Sequence, residues 1–587
     1  MKIIGKIYGI NGPIVTMRGN LGFMMSEMVY VGEKRLVGEV IALTKEVTTV
    51  QVFEETTGLK PGENVEGTGR PLCVTLAPGI LNNIFDGIER PLQLIGEKNG
   101  AYIPRGVTVD LLDRQKKWQA KILVKIGDKV SGGNIIAEVP ETTAIVHKVM
   151  VPPKVEGIVT RVVEDGAYTI DDTLVTIQTE SGEQQLNMTQ QWPIRIPRPI
   201  QKRYPADRPL VTGQRILDTL FPIAKGGTAA LPGGFGTGKT MTQHQLAKWC
   251  DADIIIYIGC GERGNEMTNV LEEFSQLIDP KNGSFMMERT VLIANTSNMP
   301  VAAREASIYT GLTLAEYYRD MGYHVAIMAD STSRWAEALR ELSGRLEEMP
   351  AEEGFPAYLA SRLSAFYERA GYVENLNGSD GSVTIIGAVS PQGGDFSEPV
   401  TQHTKRFVRC FLALDKSLAY ARHYPAINWL TSYTEYLNDL EPWYIANVGK
   451  DFISCRNELM NILTTESRLN EIVKLIGSDV LPDDQKLVLE IARVIRLGFL
   501  QQNAFHAEDT FVPMEKQLKM MEVILYLNEK CQSLIGMGMP MAILREQNIF
   551  EKIIAIKYEV ANKELDKFET YRQLIDEFYQ KLIELNA

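Results

Sequence analysis

Residues 233–240 read Gly233-Gly234-Phe235-Gly236-Thr237-Gly238-Lys239-Thr240. This stretch fits the pattern G-x-x-x-x-G-K-[ST], a loop whose backbone amides wrap nucleotide phosphates. The sequence predicts a short apolar strand before the loop, at 228–231, and a helix after it, at 241–250. Strand, glycine loop and helix in this order predict a phosphate-binding site within an α/β domain.

The residue types in this loop each suit a phosphate ligand. Glycines at 233, 236 and 238 allow positive φ angles and close approach of the backbone to a triphosphate. Lys239 adds a mobile positive charge for the outer phosphates, and the Thr240 hydroxyl suits a Mg²⁺ ion that keeps most of its waters. The residues expected to contact the nucleotide here are Gly233, Gly234, Phe235, Gly236, Thr237, Gly238, Lys239, Thr240 and Met241.

Two further apolar runs predict strands that end in charged residues. The run 254–258 is β-branched enough for a strand buried on both faces, and Glu262 and Arg263 follow it. The run 324–330 ends in Asp330, an aspartate of the kind that holds Mg²⁺ through water in NTPases. Parallel sheets bind ligands at the carboxyl ends of their strands, so these side chains are expected at one edge.

Composition narrows the class of protein. A chain of 587 residues with 44% hydrophobic residues is expected to form several globular domains. Its 61 basic and 74 acidic residues give a net charge of −13, which disfavours a nucleic acid as the main partner. The six cysteines form no C-x-x-C pair, and no apolar stretch approaches the roughly 20 residues that span a bilayer. We therefore expect a cytoplasmic protein that reaches a membrane only through other subunits.

Patterning along the chain predicts four regions. Residues 1–72 are glycine-punctuated strands typical of a small closed β-barrel, and residues 110–190 are a second β-rich stretch. Residues 73–109 and 191–435 alternate strand and helix patterns, as in a parallel sheet covered on both faces. Residues 436–587 are expected to be helical.

The 110–190 stretch resembles the sandwich of biotinyl and lipoyl carrier domains. In that comparison Lys148 would carry a prosthetic group. Its neighbours His147 and Val149 do not match the methionine-flanked lysine of biotin carriers, so a structural role is the preferred interpretation.

Long segments of the chain resemble one family, the catalytic A subunits of V-type and archaeal-type (V/A) rotary ATPases. The resemblance covers essentially the whole chain and is carried by residues 259–268, 295–305, 328–340 and 390–401. It implies that 110–190 is the bulge insertion that distinguishes the catalytic A subunit from the non-catalytic B subunit. It also implies ATP and ADP as ligands, with Mg²⁺ as cofactor.

The resemblance implies roles for individual residues. Lys239 is expected on the β- and γ-phosphates, Thr240 on Mg²⁺ directly and Asp330 on Mg²⁺ through water. Glu262 is expected to polarise the attacking water, and Arg263 to lie near the γ-phosphate. These roles suit phosphoryl transfer, which depends on placement and charge neutralisation more than on covalent catalysis.

The resemblance also implies an adenine slot and a lever. Tyr424 and Phe505 are expected to stack on the base, although buried aromatic residues are more often simply core. Residues 477–484 resemble the lever that pushes on the central stalk, and the alternative is a polar turn between helices.

Partners and coupling follow from the same family. Three copies are expected to alternate with three B subunits in an A3B3 hexamer, with an arginine supplied in trans by B. Central-stalk subunits would contact the C-terminal domain, and peripheral-stalk subunits would lie near the barrel and bulge. The hexamer would couple ATP hydrolysis or synthesis to H⁺ or Na⁺ transport.

Two positions depart from common forms of the family. Gly234 stands where proline or alanine is usual, and Thr237 stands where eukaryotic relatives carry a cysteine. The second departure favours a bacterial or archaeal source.

Two other functions remain open on sequence alone. A ring-shaped RNA translocase of the Rho kind shares the nucleotide fold, but the acidic net charge argues against it. A non-catalytic nucleotide-binding subunit would lack an activated base, yet Glu262, Lys239 and Thr240 are all present.

Overall fold

The computed structural model describes residues 3–100, 103–107, 109–477 and 480–586. The chain divides into two compact units, each built from three segments. The first comprises Met1–Pro205, Lys225–Pro232 and Ala252–Val408, and the second Ala206–Ala224, Gly233–Asp251 and Arg409–Ala587. Within the described ranges, none of the helices combines the length and the apolar character needed to cross a lipid bilayer.

The first unit begins with a closed six-stranded barrel, as predicted. Its strands are β1 Ile4–Asn11, β2 Ile14–Arg18, β3 Glu27–Val31, β4 Leu36–Leu43, β5 Val47–Val52 and β6 Asn64–Pro71. They pair in the order β1-β2-β5-β4-β3-β6, and β6 closes back on β1. Alternate residues point inward because side chains alternate along a strand, so Val15, Val29, Val40, Val50 and Val65 form the core.

A β-rich sandwich follows the barrel, again as predicted. The chain first passes through β7 Cys73–Leu76, β8 Ile84–Phe85 and α1 Leu92–Asn99. The next strands are β9 Trp118–Ile122, β10 Lys129–Ser131, β11 Ile135–Pro140, β12 Val146–Met150, β13 Glu156–Val162, β14 Gly166–Tyr168, β15 Val175–Thr179, β16 Gly182–Leu186 and β17 Gln190–Pro193. They form two four-stranded sheets, β10-β13-β15-β16 and β12-β11-β9-β14, while β17 pairs with β7.

Lys148 lies on β12 in this sandwich. Its ammonium group donates to the carbonyl of Met321 at 2.8 Å and lies over the ring of Tyr323. These contacts are those of a structural lysine that is half-buried.

A parallel sheet forms the centre of the first unit. The strands of this region are β18 Lys202–Arg203, β19 Thr228–Pro232, β20 Ile254–Cys260, β21 Thr290–Asn295, β22 His324–Asp330, β23 Gly371–Glu374 and β24 Asp380–Val389. The parallel strands run in the order β19-β24-β22-β20-β21-β8. Every residue of β19 and β20 is buried, as continuous apolar runs require, and both predicted strands are confirmed.

Helices complete this part of the chain. They are α2 Lys239–Trp249, which belongs to the second unit, and α3 Gly264–Gln276, α4 Val301–Asp320, α5 Thr332–Arg345, α6 Leu359–Tyr367 and α7 Pro399–Phe407 in the first. The stripe predicted for α5 is buried, with Trp335, Ala338, Leu339 and Leu342 each at most 4% exposed.

Arg195 links the barrel to α4 within the first unit. Its guanidinium donates to both carboxylate oxygens of Glu39 on β4, at 2.8 and 2.7 Å. It also donates to both carboxylate oxygens of Glu305 on α4, at 3.0 and 2.8 Å. Burial alone would lower the pKa of Arg195, but the two carboxylates hold that pKa well above its usual value.

The second unit is mainly helical, as predicted for the C-terminal region. A short hairpin joins β25 Cys410–Phe411 to β26 Tyr433–Thr434. The helices are α8 Lys416–Tyr420, α9 Leu437–Asn447, α10 Phe452–Ile476, α11 Asp483–Val494, α12 Met514–Gly536, α13 Met541–Glu546, α14 Ile549–Glu559 and α15 Phe568–Asn586. On α15, Phe568, Ile575, Phe578 and Leu582 are buried as their spacing predicts. Tyr571 is half-buried, and its hydroxyl donates to Glu559 at 2.6 Å.

Two lysines are buried among the helices of the second unit. Lys516 donates to the carbonyl of Val560 at 2.6 Å, and Lys557 donates to the carbonyl of Leu497 at 2.6 Å. Burial, together with the positive charge of Arg215, lowers the pKa of each lysine to about 8. Hydrogen bonds to neutral carbonyls only partly replace the water lost by these ammonium groups.

A glycine on α4 gives a direct test of packing against the sheet. A Cβ on Gly311 would lie 2.3 Å from Cδ1 of Ile258 and 3.2 Å from Cδ1 of Ile293. Gly311→Leu is expected to lower the free energy of unfolding by roughly 1–3 kcal/mol through overpacking. The control is Gly344→Leu on α5, where a Cβ meets nothing within 4 Å. Equal denaturation midpoints for the two variants would contradict the described packing.

The buried lysines predict how stability changes with pH. Their folded-state pKa of about 8 lies below the ordinary value of 10.5, so between these values the unfolded chain binds protons that the folded chain has lost. The stability of the second unit is therefore expected to rise from pH 8 to pH 9.5. Urea midpoints monitored on this unit should rise over that range in the wild type and rise less in Lys557→Met. An unchanged slope in the variant would refute the assignment.

Candidate active site

The predicted phosphate loop lies in the second unit and has the backbone that its glycines allow. Gly236 and Gly238 have φ angles of 78° and 85°, a region that favours glycine. A Cβ on Gly233 would lie 2.5 Å from the Thr237 hydroxyl and 2.7 Å from Cβ of Leu414, so only glycine fits there. Gly238 precedes α2, which places the helix N-terminus and its partial positive charge at the loop.

Side chains of the loop fix its shape. The Thr237 hydroxyl is buried and donates to the carbonyl of Gly234 at 2.8 Å. The Lys239 ammonium donates to the carbonyls of Gly233 at 2.8 Å and Gly234 at 3.4 Å. Its charge is therefore held at the concave side of the glycine loop, where backbone amides and a cation suit phosphate oxygens. Phe235 is 82% exposed at the tip of the loop.

The two aromatic residues predicted for the base also lie in the second unit. The Tyr424 ring is 44% exposed, and its Cε1 lies 3.5 Å from the position of a Cβ on Gly238. Phe505 is 88% exposed in the segment 501–510, between the helices α11 and α12. The amide of Gln502 donates to the carbonyl of Tyr424 at 2.8 Å and joins the two segments. Exposed aromatic faces beside a phosphate loop are suited to stacking on a base.

Glu262 lies in the first unit, just beyond the carboxyl end of β20. The preceding Gly261 has a φ of 76°, and a Cβ there would lie 2.7 Å from Cβ of Arg334. Burial raises the pKa of Glu262 to about 8, and the nearby carboxylates of Asp330 and Glu266 contribute to the rise, while Arg334 opposes them. A carboxyl group with such a pKa can exchange a proton near neutral pH.

Asp330 ends the neighbouring strand β22 and is 2% exposed. Strands β20 and β22 are paired in parallel, with Gly259 opposite Asp330, so both carboxylates lie at the same sheet edge. The hydroxyl of Tyr257 donates to Asp330 at 3.4 Å, and burial with the charges of Asp330 and Glu262 raises the pKa of Tyr257. The expectation that Glu262 and Asp330 meet at one edge is confirmed by this register.

Arg263 follows Glu262 and caps the start of α3, where it is exposed. The loop behind it is held by the amide of Ser297, which donates to the carbonyl of Glu262 at 2.9 Å. Arg304 also packs against the loop, with its Cδ 3.1 Å from the position of a Cβ on Gly261.

The structure thus brings the predicted residues together in two groups. The second unit holds the loop 233–241 with Tyr424, and Phe505 lies on a segment bonded to that of Tyr424. The first unit holds Glu262, Arg263 and Asp330. Chain connectivity places the start of the loop: Gly233 follows Pro232, the last residue of β19, which is a parallel strand of the same sheet as β20 and β22.

Sequence reasoning missed the residues that tune the carboxylates. Glu266 lies four residues after Glu262, a spacing visible in the sequence. Tyr257 and Arg334 reach the site only through strand register and helix packing, for which no local pattern exists.

Both groups contain oxygen donors that suit a magnesium ion. Thr240 offers a hydroxyl at the start of α2, and Asp330 offers a buried carboxylate. The mutual repulsion that raises the pKa of Glu262 beside Asp330 and Glu266 is what a divalent cation would relieve. These donors fit Mg²⁺, which prefers carboxylate, hydroxyl and water oxygens.

Family models match most of the chain. The ATP synthase alpha/beta family, nucleotide-binding domain, matches residues 213–434, and the beta-barrel domain of the same family matches 7–69. The ATP synthase alpha/beta subunit barrel-sandwich domain matches 109–195. The C-terminal domain of V and A type ATP synthase matches 441–537.

Similar proteins span the full length of the chain. It is 60% identical over 583 residues to V-type ATP synthase alpha chain 2 of Clostridium tetani, covering 99% of this chain and 98% of that one. It is 55% identical over 586 residues to the corresponding A-type ATP synthase polypeptide of Methanopyrus kandleri, covering 99% of both chains.

One solved structure shares the fold at low identity. The assembled ATPase EscN of the enteropathogenic E. coli type III secretion system matches with a TM-score of 0.63 and 20% identity, over 89% of this chain and 100% of that one. With four family models in chain order and full-length relatives at 55–60% identity, the chain belongs to the ATP synthase alpha/beta family, among the A (alpha) subunits of the V- and A-type ATP synthases.

Proposed function

We propose that this chain hydrolyses and synthesises ATP at a site formed by the glycine loop and the carboxylates at the ends of β20 and β22. The observation that carries the proposal is the Glu262 carboxyl group, whose pKa is raised to about 8 at the sheet edge where β19 runs into the loop. Full-length similarity to V- and A-type ATP synthase subunits supports the same reaction.

The binding of the nucleotide is assigned to the second unit. Backbone amides of 233–238 and the N-terminus of α2 would hold the β-phosphate, and Lys239 would exchange its carbonyl partners for the β- and γ-phosphate oxygens. The neighbouring residues Thr240 and Met241 would flank the phosphates, and Tyr424 with Phe505 would stack on adenine.

Glu262 is assigned as the group that orients and polarises the attacking water. A carboxylate with a pKa near the working pH is an effective base, and phosphoryl transfer needs the water placed in line with the leaving oxygen. Mg²⁺, when bound, supplies positive charge to the β- and γ-phosphate oxygens, and Thr240 would hold it directly and Asp330 through water. Arg263, next to Glu262, would neutralise charge on the γ-phosphate.

Other subunits are needed for coupling in this proposal. Three copies would alternate with three B subunits, each contributing a trans arginine to the site. The helical C-terminal region would act on a central stalk, with peripheral-stalk subunits near the barrel and sandwich. Part of the lever predicted at 477–484, Ser478 and Asp479, lies outside the described residues. The chain would be cytoplasmic and peripheral to a membrane across which other subunits move H⁺ or Na⁺.

The domain boundaries at 72, 110, 190 and 435 stay predictions within this proposal. The barrel ends at Pro71 and α9 begins at Leu437, which supports the outer two.

Substitutions in the two groups separate binding from chemistry. Lys239→Ala is expected to abolish both nucleotide binding and hydrolysis, because it removes the cation for the outer phosphates. Glu262→Gln is expected to retain binding and to lose about 10²–10⁴-fold in turnover, the contribution of a general base. The matched control is Lys248→Ala, a lysine near the other end of α2 that lies over the Trp249 ring. Full turnover in Glu262→Gln would refute the assignment.

The need for a partner is tested by measuring Mg·ATP hydrolysis with the B subunit present and with it omitted. An arginine in trans contributes about 10³–10⁵ in rate in NTPases, so the isolated chain is expected to turn over slowly. Brisk hydrolysis by the isolated chain would contradict the shared site.

The raised pKa of Glu262 predicts selective labelling by a hydrophobic carbodiimide, which attacks protonated carboxyl groups. With a pKa of about 8, roughly nine-tenths of Glu262 is protonated at pH 7, whereas surface glutamates are almost fully ionised. Labelling of the nucleotide-free chain, located by peptide mass spectrometry, is expected at Glu262 and to fall as pH rises through 8. Glu266→Gln is expected to shift the fall to lower pH, because Glu266 raises the pKa. A flat profile would show that Glu262 is an ordinary carboxylate.

A further inference from the structure

The segment 501–510 carries Phe505 and contains no helix or strand. Such a segment needs contacts from outside to hold one conformation, since it has no ladder of backbone hydrogen bonds of its own. Phe505 itself is exposed, so its position depends on its neighbours in the segment.

Arg215, from the segment 206–224 of the same unit, is fully buried against the segment 501–510. Its Nε donates to the carbonyl of Phe499, and its Nη2 donates to the carbonyl of Gln501 at 2.8 Å. Its Nη1 donates to the carboxylate of Asp509 at 2.5 Å. One planar side chain thereby binds both ends of the segment, a geometry that a lysine could not reproduce.

Asp509 passes this anchoring on to Phe505. Its second carboxylate oxygen accepts the amide of Asn503 at 2.7 Å. The side-chain oxygen of Asn503 in turn accepts the amide of Phe505 at 3.0 Å. Arg215, Asp509, Asn503 and Phe505 therefore form one hydrogen-bonded series.

Gln502 forms a second branch, toward Tyr424. Its side-chain oxygen accepts the backbone amide of Arg215 at 2.8 Å, and its side-chain amide donates to the carbonyl of Gly213 at 2.8 Å. Its own backbone amide donates to the carbonyl of Tyr424 at 2.8 Å. Both aromatic residues of the proposed base site are thus connected to Arg215.

The charges around Asp509 favour an ionised carboxylate. Arg215 is in direct contact, and the buried ammonium groups of Lys516 and Lys557 lie close enough for Asp509 to raise their pKa against the lowering by burial and Arg215. Lys557 also donates to the carbonyl of Gln501 at 3.1 Å, alongside Arg215. The carboxylate is therefore enclosed by cations and held in place.

The far end of the segment is bonded to the helix that follows the phosphate loop. The indole of Trp249, at the end of α2, donates to the Thr510 hydroxyl at 3.1 Å, and its ring lies 5.2 Å from that of Phe511. The base segment and the phosphate loop therefore share a rigid support.

We propose that Arg215 is a positioning residue that, through Asp509 and Gln502, holds Phe505 and Tyr424 for the nucleotide base. The inference rests on the proposed ATP site and adds that affinity for the base is separable from affinity for the phosphates. Breaking the series should release the aromatic rings and leave the glycine loop intact, because the hydrogen bonds of Arg215 and Asp509 within the described residues go to segments other than 233–240.

The test compares two ligands on the full-length chain, Mg·ADP and Mg·pyrophosphate, by titration calorimetry. Asp509→Asn preserves volume and removes the charge that orders the series. It is expected to weaken Mg·ADP binding about tenfold, within the range that base stacking contributes, and to change Mg·pyrophosphate binding less than about twofold. Asn503→Ala, at an exposed position, is expected to give a smaller loss of the same selectivity without risk to folding.

Two controls make the outcome decisive. Glu490→Gln removes ion pairs to Arg493 and Arg545 elsewhere in the helical region and should change neither affinity. In a Phe505→Ala background, Asp509→Asn should add little further loss of ADP affinity, because coupled residues are non-additive.

Equal losses for ADP and pyrophosphate in both Asp509→Asn and Asn503→Ala, or no loss of ADP affinity in either, would overturn the inference while the proposed function stands. A wild-type chain that binds neither ligand would instead overturn the proposed function, and the inference with it.

Discussion

Parallel strands buried on both faces can place polar side chains only beyond their ends, and this constraint organises the first unit. Strands β19, β20 and β22 are apolar along their whole length, apart from their last residues and the first residues Thr228 and His324. The charged and flexible residues that chemistry requires therefore accumulate at one edge, where Glu262 and Asp330 follow adjacent strands. The sheet aligns these two groups, distant in sequence, without any contact dedicated to that purpose alone.

Electrostatic cost is concentrated at the same edge. Three carboxylates, Glu262, Glu266 and Asp330, raise the free energy of one another's ionised forms, and burial adds to this. In the second unit the loop 233–238 and Lys239 present the opposite charge. A folded chain that maintains both arrangements sacrifices stability for affinity toward a ligand that carries anionic phosphates and a cation together.

Much of this could be predicted from the sequence, because the decisive patterns are local. The glycine loop, the β-branched runs before Glu262 and Asp330, and the helical spacing in α15 each lie within a few consecutive residues. The contacts between distant segments could not be predicted: Tyr257 reaches Asp330 through the register of β20 and β22, and Arg215 meets Asp509 across 294 residues. Such pairs depend on tertiary packing, and no period in the sequence encodes them.

The double clamp of Arg195 has a mechanical consequence for the first unit. Apolar surfaces can slide past one another at little cost, whereas a guanidinium shared by Glu39 and Glu305 loses its bonds after a shift of about 1 Å. Shear between the barrel and α4 would leave buried charges without partners. The barrel is therefore a stiff extension of α4, and a force applied to it would reach the start of that helix, beside Arg304 and the Glu262 loop, almost without elastic loss.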